Sequence, residues 1–187
     1  MSEIVSDAKK ALRAKVLANR SKDLAGKTER QFADALLRIS SLQNLKRIGC
    51  YLSFGSEPAT DLFIELAKAQ GMEIACPRVQ PDGQMVMASL EDETKASELG
   101  FREPTGEIIQ AKDLDLIIVP ALAIDYQGRR LGRGAGYFDR YLKDFFGSTV
   151  GLVYDAEFVA EVPSLNHDAP VGWVITQTQT IEIPFER

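Results

Sequence analysis

A single histidine, a single tryptophan and two cysteines are all that this 187-residue chain has of the residue types that most often carry proton transfer, stacking and metal binding. His167 stands in "LNHDAP", where a lone histidine reads as a loop residue rather than as an acid or base. Cys50 and Cys76 each lie inside an apolar run without a partner at zinc-ligand spacing, so they read as buried, reduced thiols. Neither a Ser/His/Asp nor a Cys/His constellation is present, and with them goes the usual equipment of covalent catalysis.

Positive charge is also in short supply. The net charge of -5 argues against a protein that holds nucleic acid by bulk electrostatics, so any affinity for anions has to be local. No stretch approaches the roughly 18 continuous apolar residues of a membrane span, and "MSEIVSDAKK" lacks the apolar centre of a secretion signal. The expectation is a cytoplasmic protein, bound to neither membrane nor nucleic acid. Repeats, low-complexity tracts and long linkers are missing too, and 45% hydrophobic residues suit one good core: a single domain over residues 1–187, expected to be a monomer.

What is there is a regular alternation of helical and extended patterns. Ala8, Leu12, Lys15 and Val16 recur at helical spacing after Ser6 and Asp7 as caps, which predicts a helix of about four turns. A second helix is expected from about Thr28, with Phe32, Ala35, Leu36 and Ile39 on its buried face. "RIGCYLSF" reads as a strand, "GSEPAT" as a turn, and the next helix runs from Thr60 as N-cap to Gly71 as the glycine just past its end. "MEIACPRV" is expected to be a strand stopped by Pro77, with "QMVMASL" a further strand after the "PDG" turn. The near-continuous apolar run "DLDLIIVPALAID" suits a central parallel strand covered on both faces. A helix carrying Phe138, Tyr141, Leu142, Phe145 and Phe146 on one face should follow, then the strands "STVGLVY" and "GWVITQ". Trp173, in the last of these, reads as core. Strands alternating with helices predict an α/β fold: three α/β/α layers around one central, mostly parallel sheet.

Between the central strand and the aromatic helix lies "RRLGRGAGYFDRYL". Its place beyond the carboxyl end of a strand is where such folds bind ligands. Gly132, Gly134 and Gly136 let the backbone take positive-φ conformations and remove the Cβ atoms that would hold a ligand away, so that successive N–H groups can converge on phosphate oxygens. Arg129, Arg130 and Arg133 can add charge-assisted forks, and Asp139, in the first turn of the next helix, can receive magnesium carried by the phosphates. The plainer alternative is a tight turn with solvated arginines, Asp139 then complementing the helix dipole. G-x-G-x-G is neither the Walker pattern nor G-x-G-x-x-G, which removes most support for a dinucleotide site.

The longer stretch "VPALAIDYQGRRLGRGAGYFDRYL" resembles the signature of the 5-formyltetrahydrofolate cyclo-ligases, V-P-G-x-A-F-D-x-x-G-x-R-L-G-x-G-x-G-Y-Y-D-x-x-L. The likeness extends through "KKALR", "YLSFGSEPAT", "CPRV", "GFREPTG" and "HDAPVGWVIT", in order, over nearly the whole chain. Ala121, Ile124, Ala135 and Phe138 depart from the pattern without removing a charge. The resemblance implies an ATP-dependent conversion of 5-formyltetrahydrofolate to 5,10-methenyltetrahydrofolate, with magnesium, releasing ADP and phosphate. It implies ATP contacts from Lys9, Lys10 and Arg13 on the first helix and from Arg130, Leu131, Gly132, Arg133, Gly134, Ala135, Gly136, Tyr137 and Phe138 in the loop. Arg133, Tyr137 and Asp139 are implied as catalytic, Leu52, Glu57 and Tyr137 as folate-binding, and Asp139 with Asp168 as metal-binding. Tyr154 and Phe101 are further candidates to stack on the pterin. Two rivals stay open: a phosphosugar or coenzyme A ester enzyme that holds substrate phosphate without consuming ATP, and a non-catalytic folate- or nucleotide-binding relative.

Overall fold

The computed structural model describes residues 2–42, 44–91, 94–97, 100–165 and 168–184. Two long helices, α1 (Ser2–Asn19) and α2 (Lys22–Leu42), precede β1 (Arg47–Cys50), α3 (Asp61–Ala69), β2 (Glu73–Val79) and β3 (Met85–Ser89). The short strands β4 (Thr94–Ala96), β5 (Arg102–Pro104) and β6 (Ile108–Ile109) lead to β7 (Leu116–Pro120). Then come β8 (Ala123–Asp125), β9 (Arg130–Leu131), α4 (Tyr137–Tyr141), β10 (Ser148–Leu152), β11 (Phe158–Val159), β12 (Trp173–Ile175) and β13 (Thr180–Glu182).

Eight strands form one sheet in the order β13-β12-β10-β7-β1-β2-β3-β6. The five inner ones are parallel, and the antiparallel strands lie at the two edges. Alternation along β7 shows why its sequence is a continuous apolar run. Leu116 and Ile118 join the core under α2 and α3, with Phe32, Leu36, Phe63 and Ile64. Ile117 and Val119 point to the opposite face and meet Ile124, Leu142, Val153 and Val174. Both faces are therefore dry, as a central parallel strand requires. The second face is covered by the single short helix α4 and by the three-stranded sheet β11-β8-β9. Gly151 on β10 has no side chain because Ile124 of β8 packs into that space.

Several boundaries differ from the sequence reading, each for a local reason. α1 begins at Ser2, so Ser6 and Asp7 lie within it rather than capping it, and α2 begins at Lys22 rather than near Thr28. Thr60 occupies the N-cap position of α3 but makes no cap bond: its hydroxyl donates to the Tyr51 carbonyl (2.8 Å) and accepts the Ser53 N–H (3.2 Å). Gly71 does follow the end of α3 with φ +83, and Gln70 is the C-cap. Pro77 does not stop β2. β1 pairs with β2 only up to Ala75, so the missing N–H of Pro77 deprives no neighbour there and the strand continues against β3 to Val79.

The run expected to be one strand through Asp125 breaks after Pro120. Beyond it the Leu122 N–H donates to the Leu131 carbonyl (2.7 Å), and the β8–β9 hairpin folds the glycine loop back toward the end of β7. The buried Asp125 carboxylate builds the turn by accepting the N–H groups of Gln127 and Arg129, both at 3.0 Å. The helix expected over Phe138 to Phe146 is also short. α4 ends at Tyr141, a 3-10 turn covers Leu142–Asp144, Phe145 is extended, and Phe146 is 80% exposed. The chain has to enter β10 at Ser148, and a Cβ at Gly147 would lie 3.0 Å from the Asp115 carbonyl, so a longer helix has no room to close.

Candidate functional site

A cavity of about 670 Å³ opens at the carboxyl ends of β7, β1 and β2, lined by the glycine loop on one side and by the turn after β1 on another. Of the residues singled out in the sequence, Lys9, Arg13, Leu52, Glu57, Asp168 and the whole stretch from Arg130 to Asp139 line it. Lys10 does not: it stands on the exposed side of α1. Arg129 is also outside, drawn to Asp125 (2.6 Å) across the hairpin turn and to Glu161 (3.7 Å), which corrects its assignment as a phosphate ligand. Tyr154 is buried in the core with its hydroxyl on the Ser56 carbonyl (3.2 Å), so no ring face is left for a ligand. Trp173 packs against the same core. Phe101 lines the cavity, edge-on to Phe54 at 5.2 Å between ring centres. His167 lies outside the described residues.

The loop has the backbone that its composition predicts, at two of the three glycines. Gly134 has φ +113 and Gly136 φ +69, conformations that side chains rarely adopt, whereas Gly132 has neither a positive φ nor any neighbour that a Cβ would meet. Arg13 reaches from α1 to donate Nε–H to the Gly132 carbonyl at 2.9 Å. Arg140, one turn beyond the loop, donates to the Ala135 carbonyl (3.1 Å) with its guanidinium over the Tyr137 ring.

The charges in the cavity are paired, one pair within the loop segment and two across distant parts of the chain. Arg130, nearly all buried, donates to Asp139 (2.5 Å). Burial pulls its pKa below the ordinary guanidinium value, and the charges of Asp139 and Asp168 work against that fall. Its Nε–H finds no partner among the described residues. Lys9 donates to Asp168 (2.5 Å), whose same oxygen accepts the Leu165 N–H (2.6 Å). Arg133 donates to Glu57 Oε1 (2.8 Å) while Glu57 Oε2 accepts the Phe54 N–H (3.0 Å), which closes the turn after β1. Seven cations and four carboxylates line the cavity, so the site is locally positive in a chain of net charge -5.

One family of known proteins matches a stretch that includes every residue lining this cavity. The model of the 5-formyltetrahydrofolate cyclo-ligase family matches residues 5–177. The chain belongs to the 5-formyltetrahydrofolate cyclo-ligase family. It is 32% identical over 155 residues to a 5-formyltetrahydrofolate cyclo-ligase of Mycolicibacterium smegmatis, covering 76% of this chain and 80% of that protein. To the mouse 5-formyltetrahydrofolate cyclo-ligase it is 30% identical over 197 aligned positions, 91% of this chain and 94% of that one. Its fold matches the solution structure of the Aquifex aeolicus 5,10-methenyltetrahydrofolate synthetase with a TM-score of 0.83 at 24% identity, over 98% of this chain and 95% of the other. No described helix is long and apolar enough to cross a membrane.

Within this cyclo-ligase fold the sequence reading missed the apolar wall and part of the cationic rim. Pro77, Val79 and Met85 line the cavity from β2 and β3, and Arg102, Arg140 and Lys143 add charge. In the sequence the first three look like any strand residues, since alternation shows that a face is covered and not what covers it. Arg140 and Lys143 follow Asp139 on a segment whose true course, a short helix and then a 3-10 turn, the aromatic spacing concealed.

Proposed function

We propose that this chain catalyses the ATP-dependent cyclisation of 5-formyltetrahydrofolate to 5,10-methenyltetrahydrofolate with release of ADP and phosphate. The observation that carries the reading is the joining, in one cavity, of a positive-φ glycine loop and its cations to the Glu57 turn. One half has the backbone donors and charge for a triphosphate; the other has a buried carboxylate and an aromatic rim for a pterin.

An N-formyl group is an amide and a poor electrophile. Its oxygen attacks the γ-phosphorus and ADP leaves, so that the oxygen becomes part of a phosphate leaving group. N10 then bonds to the activated carbon, the carbon–oxygen bond breaks with release of phosphate, and N10 loses its proton, leaving the conjugated methenyl cation. Phosphoryl transfer asks the protein for alignment and charge neutralisation, which Lys9, Arg13, Arg130, Arg133 and the N–H groups of residues 132–136 supply. Leu52, Glu57 and Tyr137 hold the folate so that N10 meets the formyl carbon, a closure within one bound molecule that gains chiefly from orientation.

Magnesium would be held by Asp139 and Asp168. Among the described residues no group of three His, Cys, Asp or Glu encloses a metal by itself, which suits an ion that arrives with phosphate and takes one or two carboxylates. Both described bonds of Asp139, from Arg130 and from the Ala169 N–H (3.4 Å), go to Oδ1, so that Oδ2 would be the oxygen to take such an ion. When bound, it would neutralise charge on the phosphates.

The test is an absorbance assay for methenyltetrahydrofolate with the purified protein, run with and without ATP and with and without magnesium. Product only when both are present is the expected result. Equal turnover without ATP, or none under any condition, overturns the reading.

A further inference from the structure

α1 turns an unusual face to the rest of the molecule. Lys9, Arg13, Val16 and Arg20 follow one another at i, i+4, i+7 and i+11, which places them in one stripe of a helix, and Arg20 continues the helical backbone with its N–H on the Val16 carbonyl (3.2 Å). Among its described side chains only Lys9 and Val16 are buried, and the apolar contacts come from Leu12 and Val16 against Leu122, Leu131 and Val162. A helix held by so little apolar surface needs its polar contacts.

Those contacts are of two kinds. Toward the N-terminus, Lys9 on Asp168 and Arg13 on the Gly132 carbonyl use donors that the proposed function gives to phosphate. When a nucleotide enters, these bonds are exchanged and cease to hold α1 in place. At the other end Arg20 and its carboxylate partner Glu157 both stand outside the cavity lining, and of its partners only Ala121 lines it. The Arg20 side chain is 1% exposed, and it donates Nε–H to Glu157 Oε1 (2.7 Å) and Nη2–H to both Glu157 Oε2 (2.8 Å) and the Ala121 carbonyl (2.7 Å). Glu157 is tied in turn to the Tyr154 N–H (3.1 Å), just past β10, and the guanidinium lies 5.6 Å from the centre of the Tyr154 ring. Ala121 follows the last residue of β7, and β7 and β10 are neighbours, in register up to Pro120 and Leu152. One side chain therefore fastens the end of α1 to the ends of two central strands, on the side of the sheet where the cavity opens. Burial works against its charge, yet Glu157 more than offsets this and holds its pKa above the ordinary value.

We infer that Arg20 is a positioning residue for nucleotide binding: it pins the C-terminal end of α1 so that Lys9 and Arg13 can exchange their present partners for phosphate without the helix leaving the cavity. This rests on the reading of the cavity as an ATP site. A pair retained for stability alone would be replaceable by packed apolar side chains with little loss, since burying two charges is itself costly. A positioning pair would not be, because only a planar fork reaches a carboxylate and a carbonyl at once.

The experiment compares the parent with the paired variant Arg20→Met/Glu157→Met and with Arg20→Lys, which keeps the charge and loses the fork. Calorimetric titration with a non-hydrolysable ATP analogue and magnesium, and separately with 5-formyltetrahydrofolate, gives the affinities; amide exchange in the ligand-free proteins gives the protection of α1. The expected result is an ATP affinity lower by about tenfold in the paired variant and by a smaller factor in Arg20→Lys, with folate affinity within about twofold of the parent. The α1 amides exchange faster in both variants than in the parent, while β7 and β10 do not. An ATP affinity equal to the parent's in a folded variant overturns the inference, and so does an equal loss for both ligands. If the paired variant does not fold, Arg20→Lys decides by the same two comparisons. If the parent itself binds no ATP, the proposed function fails instead, and unchanged α1 protection in the variants would then separately overturn the pinning role.

Discussion

The Arg133 guanidinium and the Glu57 carboxylate meet at 2.8 Å across the mouth of the cavity, although 76 residues separate them. One belongs to the glycine loop, the other to the turn after β1, so the ion pair joins the half that suits phosphate to the half that suits folate. Glu57 is nearly buried and has both oxygens engaged, while Arg133 is about two-fifths exposed. Whatever takes Glu57 releases Arg133, and the reverse.

The two ligands should therefore bind with mutual dependence. Glu57→Gln should weaken 5-formyltetrahydrofolate by about tenfold or more, the effect of losing a charge-assisted bond, and should leave ATP binding unchanged or tighter because Arg133 is no longer held. Titration of each ligand with and without the other checks this. A fall in ATP affinity in the variant would place Glu57 on the nucleotide side.

The glycine loop offers a paired test of backbone conformation against ligand approach. At Gly134, with φ +113, valine should introduce strain of about 1–3 kcal/mol and lower ATP affinity and turnover together, with the core intact. At Gly132 a Cβ meets nothing within 4 Å and φ is not positive, so Gly132→Ala should leave the melting temperature unchanged. If phosphate rests on that N–H, alanine should still reduce ATP affinity. Calorimetric titration and thermal melting of both variants separate the two effects.

Asp139→Asn removes the charge that faces a guanidinium 2% exposed and leaves only a neutral acceptor there. The expected cost is on the order of 2–3 kcal/mol, lowered from the value for a fully buried pair because Asp139 is itself a quarter exposed. Urea unfolding should show that loss with an unchanged slope, and the methenyltetrahydrofolate assay should show turnover falling well beyond what stability explains.

Alkaline pH should unfold the protein through its buried tyrosines. Burial pushes Tyr141 and Tyr154 up to about 12 and raises Tyr51 as well. A group raised in the folded state contributes stability that is full below its unfolded value, about 10 for tyrosine, and is lost as pH climbs through the folded one. Stability should be flat with respect to these groups up to pH about 10 and fall steadily from there toward 12. Absorbance titration of tyrosinate against the circular dichroism signal checks it: these three should ionise only with unfolding.

Cys50 and Cys76 sit side by side on β1 and β2, fully buried, and burial raises both thiols. A disulfide-exchange reagent should find no thiol in the native protein and both in denaturant. Reaction of either in the folded state would contradict the strand packing.

Local chemistry was enough to make much of this molecule legible in one dimension. Gly134 and Gly136 declare positive-φ positions because other residues are strained there, Gly71 ends α3 for the same reason, and the unbroken apolar run of β7 marks a strand dry on both faces. The family signature lies in one contiguous stretch, so the loop and its charges could be named before any fold was known. The tertiary structure alone decided which of those charges meet. Arg129 and Arg130 are neighbours in sequence, yet the β8–β9 hairpin turns one to Asp125 and the other to Asp139. Lys9 finds Asp168 at a separation of 159 residues, and Arg20 finds Glu157 at 137. Periodicity could not foresee these pairs, because it reports that a face is covered and carries no information about what covers it. The basic stripe of α1 is the plainest case: the family resemblance turns Lys9 and Arg13 toward ATP, but only the tertiary structure brings Arg20 inward to Glu157.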